Sequence, residues 1–332
     1  MTAAILAVDG GNSKTDVALV AADGRLLAAV RGRSTSHQAV GMAAGIERLV
    51  GLVESAAVSA GLDPSERPLA QVGVHSIAGA DYPADVRRLE GALGRTGLSA
   101  RDVVVNDTIG ALWAGSSTEW GIALICGEGI NGAAIAPDGW QVRFDGVGDI
   151  SGDWGGGHSV GMAGLAAAVR AADGRGPATS LRRLVPAHFG LSRISAVTRA
   201  LYDERIAVRR TSELSPLVFA AAGDGDAVAR SIVDRLADEL AVMAIALARR
   251  TGVTRQPVEV VLAGGVFRAT DALFYTRLES AVRAVVPDAR FVRLDVPPVA
   301  GAALHGLALA GAPAAARDRV RAELRAWASA GA

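Results

Sequence analysis

The chain has 332 residues, half of them hydrophobic, with 34 basic side chains balanced by 34 acidic ones. That length exceeds one typical domain and predicts two sizeable cores. A formal net charge of zero leaves no reservoir of positive potential for a polyanion, so nucleic acid is not an expected partner. No apolar run approaches the roughly 20 residues of a membrane span, and membrane is not expected either. Met1 to Val8 runs straight into strand-like sequence without the basic region and cleavage site of a secretory signal, which predicts a cytoplasmic protein. Cys126 is the single cysteine, so an internal disulfide and a cysteine-rich metal site are excluded.

Ile5 to Val8, Val17 to Val20 and Leu26 to Val30 are short apolar runs separated by turn residues, which predicts a three-stranded meander. Ile46, Leu49, Val50 and Val53 recur at helical spacing, and Gly61 with Pro64 ends that helix. A strand at Gln71 to Ile77, a helix at Pro83 to Leu93 and a strand at Asp102 to Val105 follow. Near Trp120 the pattern restarts: strands are expected at Gly121 to Cys126, Gly132 to Ala136 and Trp140 to Phe144, with a hairpin turn at Pro137-Asp138-Gly139. Helices from about Gly155 to Ala172, between Thr179 and Ala222, and from Asp226 to Arg250 precede strands at Val258 to Leu262 and Arg290 to Leu294. A helix from Ala300 to Leu309 comes next. The last helix, Arg317 to Trp327, reads as a packing or oligomer element, which would allow a homodimer. One meander plus alternating helices and strands, occurring twice, predicts two related α/β domains with a cleft between them.

Five motifs carry chemistry. Asp9-Gly10-Gly11-Asn12-Ser13-Lys14-Thr15 fills the first turn, where glycines let backbone amides approach a phosphate. Lys14, the only lysine in the chain, and the hydroxyls add donors, and Asp9 can hold a water bound to magnesium (Mg2+). A plain hairpin is the bland alternative. It is not a Walker loop, since the spacing differs and a strand follows. Gly127-Glu128-Gly129-Ile130-Asn131 occupies the equivalent turn of the second half, and two such turns suggest a clamp on one nucleotide. Asn106-Asp107-Thr108 lies where a strand becomes a helix, so Asp107 is either a helix cap or a general base. Gly148 to Gly157 is rich in glycine, with Asp149 and Asp153 able to orient sugar hydroxyls or to serve as turn carboxylates. Gly264-Gly265 ends a buried strand and suits a base or ribose, or a tight turn alone.

In their order along the chain, these residues resemble the BadF/BadG/BcrA/BcrD-type ATPase superfamily and, within it, the N-acetylglucosamine kinases. The likeness runs from Asp9-Gly10-Gly11 through Ser34-Thr35-Ser36-His37, Asn106-Asp107, Gly127 to Asn131 and Gly152-Asp153 to Gly264-Gly265. It implies an α/β protein of two ribonuclease-H-like (actin-like ATPase) domains with an interdomain cleft, spanning residues 1–117 and 118–332, the second with a helical insertion. It implies an ATP-dependent kinase for an amino sugar, N-acetylglucosamine foremost and glucosamine or another sugar as the alternative, with ATP and Mg2+ as cofactors. By the resemblance Asp107 aligns with the catalytic base and Gly264-Gly265 with the adenosine site. Ser36, His37, Asn131, Asp149 and Asp153 then belong to the sugar site. Two positions depart from the pattern. Ser36 stands where those kinases carry a sugar-contacting asparagine, and Glu128 stands where a threonine is usual, placing a carboxylate beside phosphates unless it faces the metal. The rivals are an ATP-driven activator holding an iron-sulfur cluster, which needs two cysteines per chain and finds only Cys126, and a sugar or nucleotide sensor.

Overall fold

A computed structural model describes residues 2–330; Met1, Gly331 and Ala332, included in the expected domain ranges, lie outside the described residues. The chain divides into two compact units, Met1–Gly121 with Val292–Ala332, and Ile122–Phe291.

In the first unit, β1 (Ala3–Gly10), β2 (Lys14–Val20) and β3 (Leu26–Arg33) form the expected meander. A short helix α1 (His37–Val40) leads into α2 (Met42–Ser59), followed by β4 (Ala70–Ile77), α3 (Pro83–Gly94), β5 (Ser99–Asn106) and α4 (Asp107–Gly115). The strand order is β3-β2-β1-β4-β5, antiparallel within the meander and parallel where β4 and β5 join.

The second unit repeats the plan with β6 (Gly121–Cys126), β7 (Ile130–Ile135) and β8 (Gln141–Arg143). The helices α5 (Gly156–Asp173), α6 (Leu181–His188), α7 (Ile194–Tyr202), α8 (Ser215–Gly223) and α9 (Ala227–Arg250) come next. Then β9 (Val258–Ala263), α10 (Ala272–Arg283) and β10 (Ala289–Arg293) complete the sheet in the order β10-β9-β6-β7-β8. Counted from the first strand of each meander, both sheets have the same order. The inferred duplication therefore holds at the level of topology, and both are mixed five-stranded sheets of the actin-like α/β fold.

Two helices, α11 (Val299–Leu309) and α12 (Ala314–Ala330), close the chain. Both pack in the first unit, although sequence order alone places them in the second domain. Sheet chemistry supplies the reason. Leu6, Val8, Val17 and Leu19 face α2 and α3 through Leu49, Val53 and Leu93, while Ile5, Ala7, Ala18 and Val74 point to the opposite face, where Val299, Ala303 and Leu307 of α11 and Val320 and Leu324 of α12 cover them. A sheet buried on both faces has continuous apolar strands, as β1 and β2 do, and each Leu or Val removed from water contributes roughly 1.5–3 kcal/mol. The close crossing of α11 over α4 depends on Gly301, where a Cβ would lie 1.7 Å from the carbonyl oxygen of Gly110.

Candidate active site

The first unit assembles its polar residues where β1 and β5 end and β2 begins. Asp9 and Asp16 face each other in the β1–β2 register. Asp16 is fully buried and bound by two cations: Lys14 Nζ pairs with one oxygen, and the Arg31 guanidinium reaches both, at 2.7 and 3.1 Å. The Lys14 and Arg31 side chains remain 42% and 41% exposed, so this carboxylate is the buried anchor of two cations that still reach solvent. Asp9 is only 8% exposed. Burial pushes its pKa up to about 7; the Lys14 charge opposes the rise, while the negative charges of Asp16 and Asp107 add to it. A nearly buried acid stressed by two other carboxylates is a place where a divalent cation would relieve the charge. No group of three His, Cys, Asp or Glu that could hold a metal ion stands together among the described residues; Asp9 is the acid whose charge the water shell of a cation would relieve.

Around this centre the turn is fixed by hydrogen bonds. Gly11 N–H donates to Lys14 O at 3.0 Å, and Ser34 Oγ donates to Gly11 O at 2.9 Å. Asn12 and Ser13 are exposed at the tip and Gly10 is buried. Thr15, expected among the phosphate donors, is fully buried instead; its hydroxyl meets Thr35 Oγ1 at 2.9 Å and accepts from Thr35 N–H at 3.0 Å. It ties the turn to the segment carrying Ser36 and His37. Ser36 is buried too, with its hydroxyl 3.4 Å from Ala78 O.

The cap of α4 falls to the neighbour of Asp107. Asn106 is the cap of α4: its Oδ1 accepts from Thr108 N–H at 3.1 Å and from the Thr108 hydroxyl at 2.5 Å. Asp107 is the first residue of the helix, near enough to Asp9 to influence its proton. Asp81, absent from the sequence reading, joins the neighbours of both segments: Asn106 Nδ2 donates to one oxygen at 3.0 Å and Gln38 Nε2 to the other at 3.1 Å. Asp16, Arg31 and Asp81 are the residues that sequence reasoning missed.

In the second unit, Gly127 N–H donates to Gly129 O at 2.9 Å, closing the turn. The first amides of α5 then turn inward: Gly157 N–H donates to Gly127 O at 2.8 Å and His158 N–H to Glu128 O at 2.9 Å. The glycine run at 155–157 is thereby explained by packing, since a Cβ at Gly156 would lie 2.5 Å from Glu128 O. The Glu128 side chain is exposed. Asn131 Oδ1 accepts from Gly132 N–H at 2.7 Å, and its amide lies against Gly146. Asp149 is exposed in a short 3-10 turn, and Asp153 accepts from the Ser151 hydroxyl. Gly264, at φ 109°, sits so close to β6 that a Cβ would meet Cys126 O at 2.4 Å. Gly265 lines a pocket of about 610 Å3 with Ser215, Phe219, Gly223, Arg268 and Thr270. Cys126 is buried, and burial pushes its thiol up to about 12, so it is no ligand or nucleophile. No described helix is long and apolar enough to cross a membrane.

Comparison with known proteins finds relatives that cover most of the chain. The chain is 26% identical over 273 residues to the N-acetylmuramic acid/N-acetylglucosamine kinase of Clostridium acetobutylicum, covering 81% of this chain and 87% of that protein. It is 25% identical over 313 residues to the N-acetyl-D-glucosamine kinase of Dictyostelium discoideum, covering 91% and 97%. Among solved structures, a candidate N-acetylglucosamine kinase from Chromobacterium violaceum superposes with a TM-score of 0.73 at 24% identity, covering 92% of this chain and 99% of that one. Residues 6–306 match the BadF/BadG/BcrA/BcrD ATPase family, and the chain belongs to that family.

Proposed function

We propose that the protein is an ATP-dependent sugar kinase acting on an amino sugar, with N-acetylglucosamine the first acceptor to test. The observation that carries the reading is Asp107: it is the first residue of α4, next to the Asn106 that caps the helix, and close enough to Asp9 to raise its pKa. Asp107 takes the proton of the acceptor hydroxyl as that oxygen bonds to the γ-phosphorus and the bond to the bridging oxygen breaks, releasing ADP. Mg2+ would neutralise charge on the phosphates, with Asp9 holding its water shell.

Gly10, Gly11, Asn12, Ser13 and Lys14 contact phosphate, and Thr15 acts at one remove by fixing the turn. On the second unit, the backbone amides of the Gly127, Glu128 and Gly129 turn serve nucleotide phosphate. The pocket beside Gly265 is large enough for adenosine and is bordered by Gly264. Ser36, His37, Asn131, Asp149 and Asp153 contact the sugar. Use of ATP as donor supports a cytoplasmic location. An electron-transfer activator is disfavoured because its cluster would need an accessible thiolate, whereas Cys126 is buried and single.

The test is ADP formation with Mg2+-ATP against a panel of neutral sugars and amino sugars. ADP release that depends on an amino sugar supports the reading; ATP hydrolysis at the same rate with and without every sugar defeats it.

A further inference from the structure

Helix α12 lies along β3, an edge strand of the first sheet. It is seated at the spacing of one helical face. The Ala316 carbonyl leaves no room for a Cβ on Gly24 in the β2–β3 turn, Arg319 pairs with Asp23 at 2.8 Å, and Glu323 accepts from Leu26 N–H at 2.6 Å. Val320 and Leu324 fill the sheet face beside them. One turn further on, half-buried Trp327 meets the Arg31 guanidinium, which lies over its ring at 5.3 Å from the centroid.

Arg31 is the guanidinium that bonds both oxygens of Asp16. Of the arginines that lie over aromatic rings among the described residues, Arg31 alone holds a carboxylate that is fully buried. Burial makes the partners of Asp16 decisive, because a carboxylate shut off from water depends on the cations it touches. Lys14 is the other one. With Lys14 alone, the two charges would cancel, and the first turn would meet phosphate with no net positive charge from this group. Arg31 supplies the second cation, so the three side chains together keep one positive charge and the lysine is not committed to Asp16. Trp offers the strongest aromatic face for a cation, and its contact restrains a long side chain that would otherwise swing into water.

We propose that Trp327 is a positioning residue for Lys14. Its indole keeps the Arg31 guanidinium on Asp16, and Arg31 in turn leaves the Lys14 charge available to nucleotide phosphate. Phosphate as the ligand rests on the kinase reading above; the link from Trp327 to Lys14 does not, and it is measurable without nucleotide.

The first readout uses the fact that Lys14 is the only lysine. Acylation of its amine in the folded full chain, followed by mass on the peptide containing residue 14, should slow about threefold or more in Trp327→Leu, because Asp16 then holds the ammonium more tightly. Leucine keeps apolar packing and removes the ring, whereas Trp327→Phe restores an aromatic face and should return the rate to near that of the unmodified protein. The second readout is calorimetry with a non-hydrolysable ATP analogue, with and without Mg2+. Trp327→Leu should weaken the analogue about three- to tenfold in both conditions. In turnover it should raise the KM for ATP by the same factor, while kcat and the KM for sugar stay within about twofold. In an Arg31→Met background, Trp327→Leu should add no further loss, since the indole acts through Arg31. An unchanged acylation rate overturns the proposal, as do leucine and phenylalanine variants that behave alike, losses at Arg31 and Trp327 that simply add, or a sugar affinity that falls with that of the nucleotide. Acylation that responds as expected in a protein that binds no nucleotide keeps the role of Trp327 and defeats the kinase reading instead.

Discussion

Asp107→Asn separates the two roles open to this residue by magnitude. Asparagine keeps the size and the hydrogen-bonding reach, and Asn106 continues to cap α4, so the main structural change is the loss of one negative charge in the first turn of the helix. A first-turn charge is worth about 0.3–1 kcal/mol, which for a protein of this size lowers Tm by no more than about 2–4 °C. Removing a positioned base costs about 10²–10⁴ in turnover, or roughly 3–5 kcal/mol in barrier height. The kinetic effect therefore outruns the structural one severalfold, and the two are measured independently, by coupled ADP assay at saturating sugar and by calorimetric unfolding. A second consequence follows from the same charge. Because Asp107 helps raise the Asp9 pKa, the substitution should lower the pH at which Asp9 releases its proton, and the midpoint of Mg2+-ATP affinity should move below 7. Turnover within tenfold of the unmodified enzyme would refute the base role, and a Tm drop near 10 °C would show that the carboxylate is a structural element after all.

Asp9 makes the unsubstituted protein pH-sensitive with a definite sign. Its folded pKa is raised from 3.8 to about 7, so the folded state holds the proton more tightly than the unfolded chain; its contribution to stability is greatest at low pH and falls as pH rises from about 4 to about 7. Mg2+-ATP affinity should run the other way, rising through about pH 7 and levelling above it, and Asp9→Asn should flatten that profile in calorimetry. At the α11–α4 crossing, Gly301→Ala places a methyl 1.7 Å from Gly110 O. Overpacking of this kind costs about 1–3 kcal/mol or more, whereas Gly51→Ala, on the open face of α2, should stabilise by up to about 1 kcal/mol. Equal Tm values for the two variants would contradict the crossing geometry.

The repeated meander was legible because each apolar run, Ile5 to Val8 in one half and Gly121 to Cys126 in the other, ends at a glycine-rich turn that both punctuates the strands and carries the chemistry. What escaped depends on neighbours distant in sequence. Asp16 looks like an isolated charge ahead of Val17 to Val20 until the β2–β3 register sets it opposite Arg31. Asp81 reads as a turn residue until β4 and β5 pair and bring Asn106 to it. Thr15 reads as a phosphate donor because hydroxyls in glycine turns often are; its strand position buries it instead. The glycines at 155–157 suggested a ligand, and the close approach they permit is to the protein's own turn at 127–129. The return of α11 to the first sheet could not be read from order along the chain, because Val299 to Leu309 is apolar on every side and would suit either core.

That return has a consequence for how the protein is made. While the ribosome extends the chain, β1 to β5 can pair early, but Ile5, Ala7, Ala18 and Val74 stay only partly covered, by α4, until α11 and α12 appear. Residues 122–291 must be synthesised first, a wait on the order of 10–30 s at a typical elongation rate of about 5–20 residues per second. The second unit, contiguous in sequence, can fold during that interval, so the half that starts first finishes last. A nascent chain stalled before Val299 would hold an open apolar sheet face, a natural target for a chaperone.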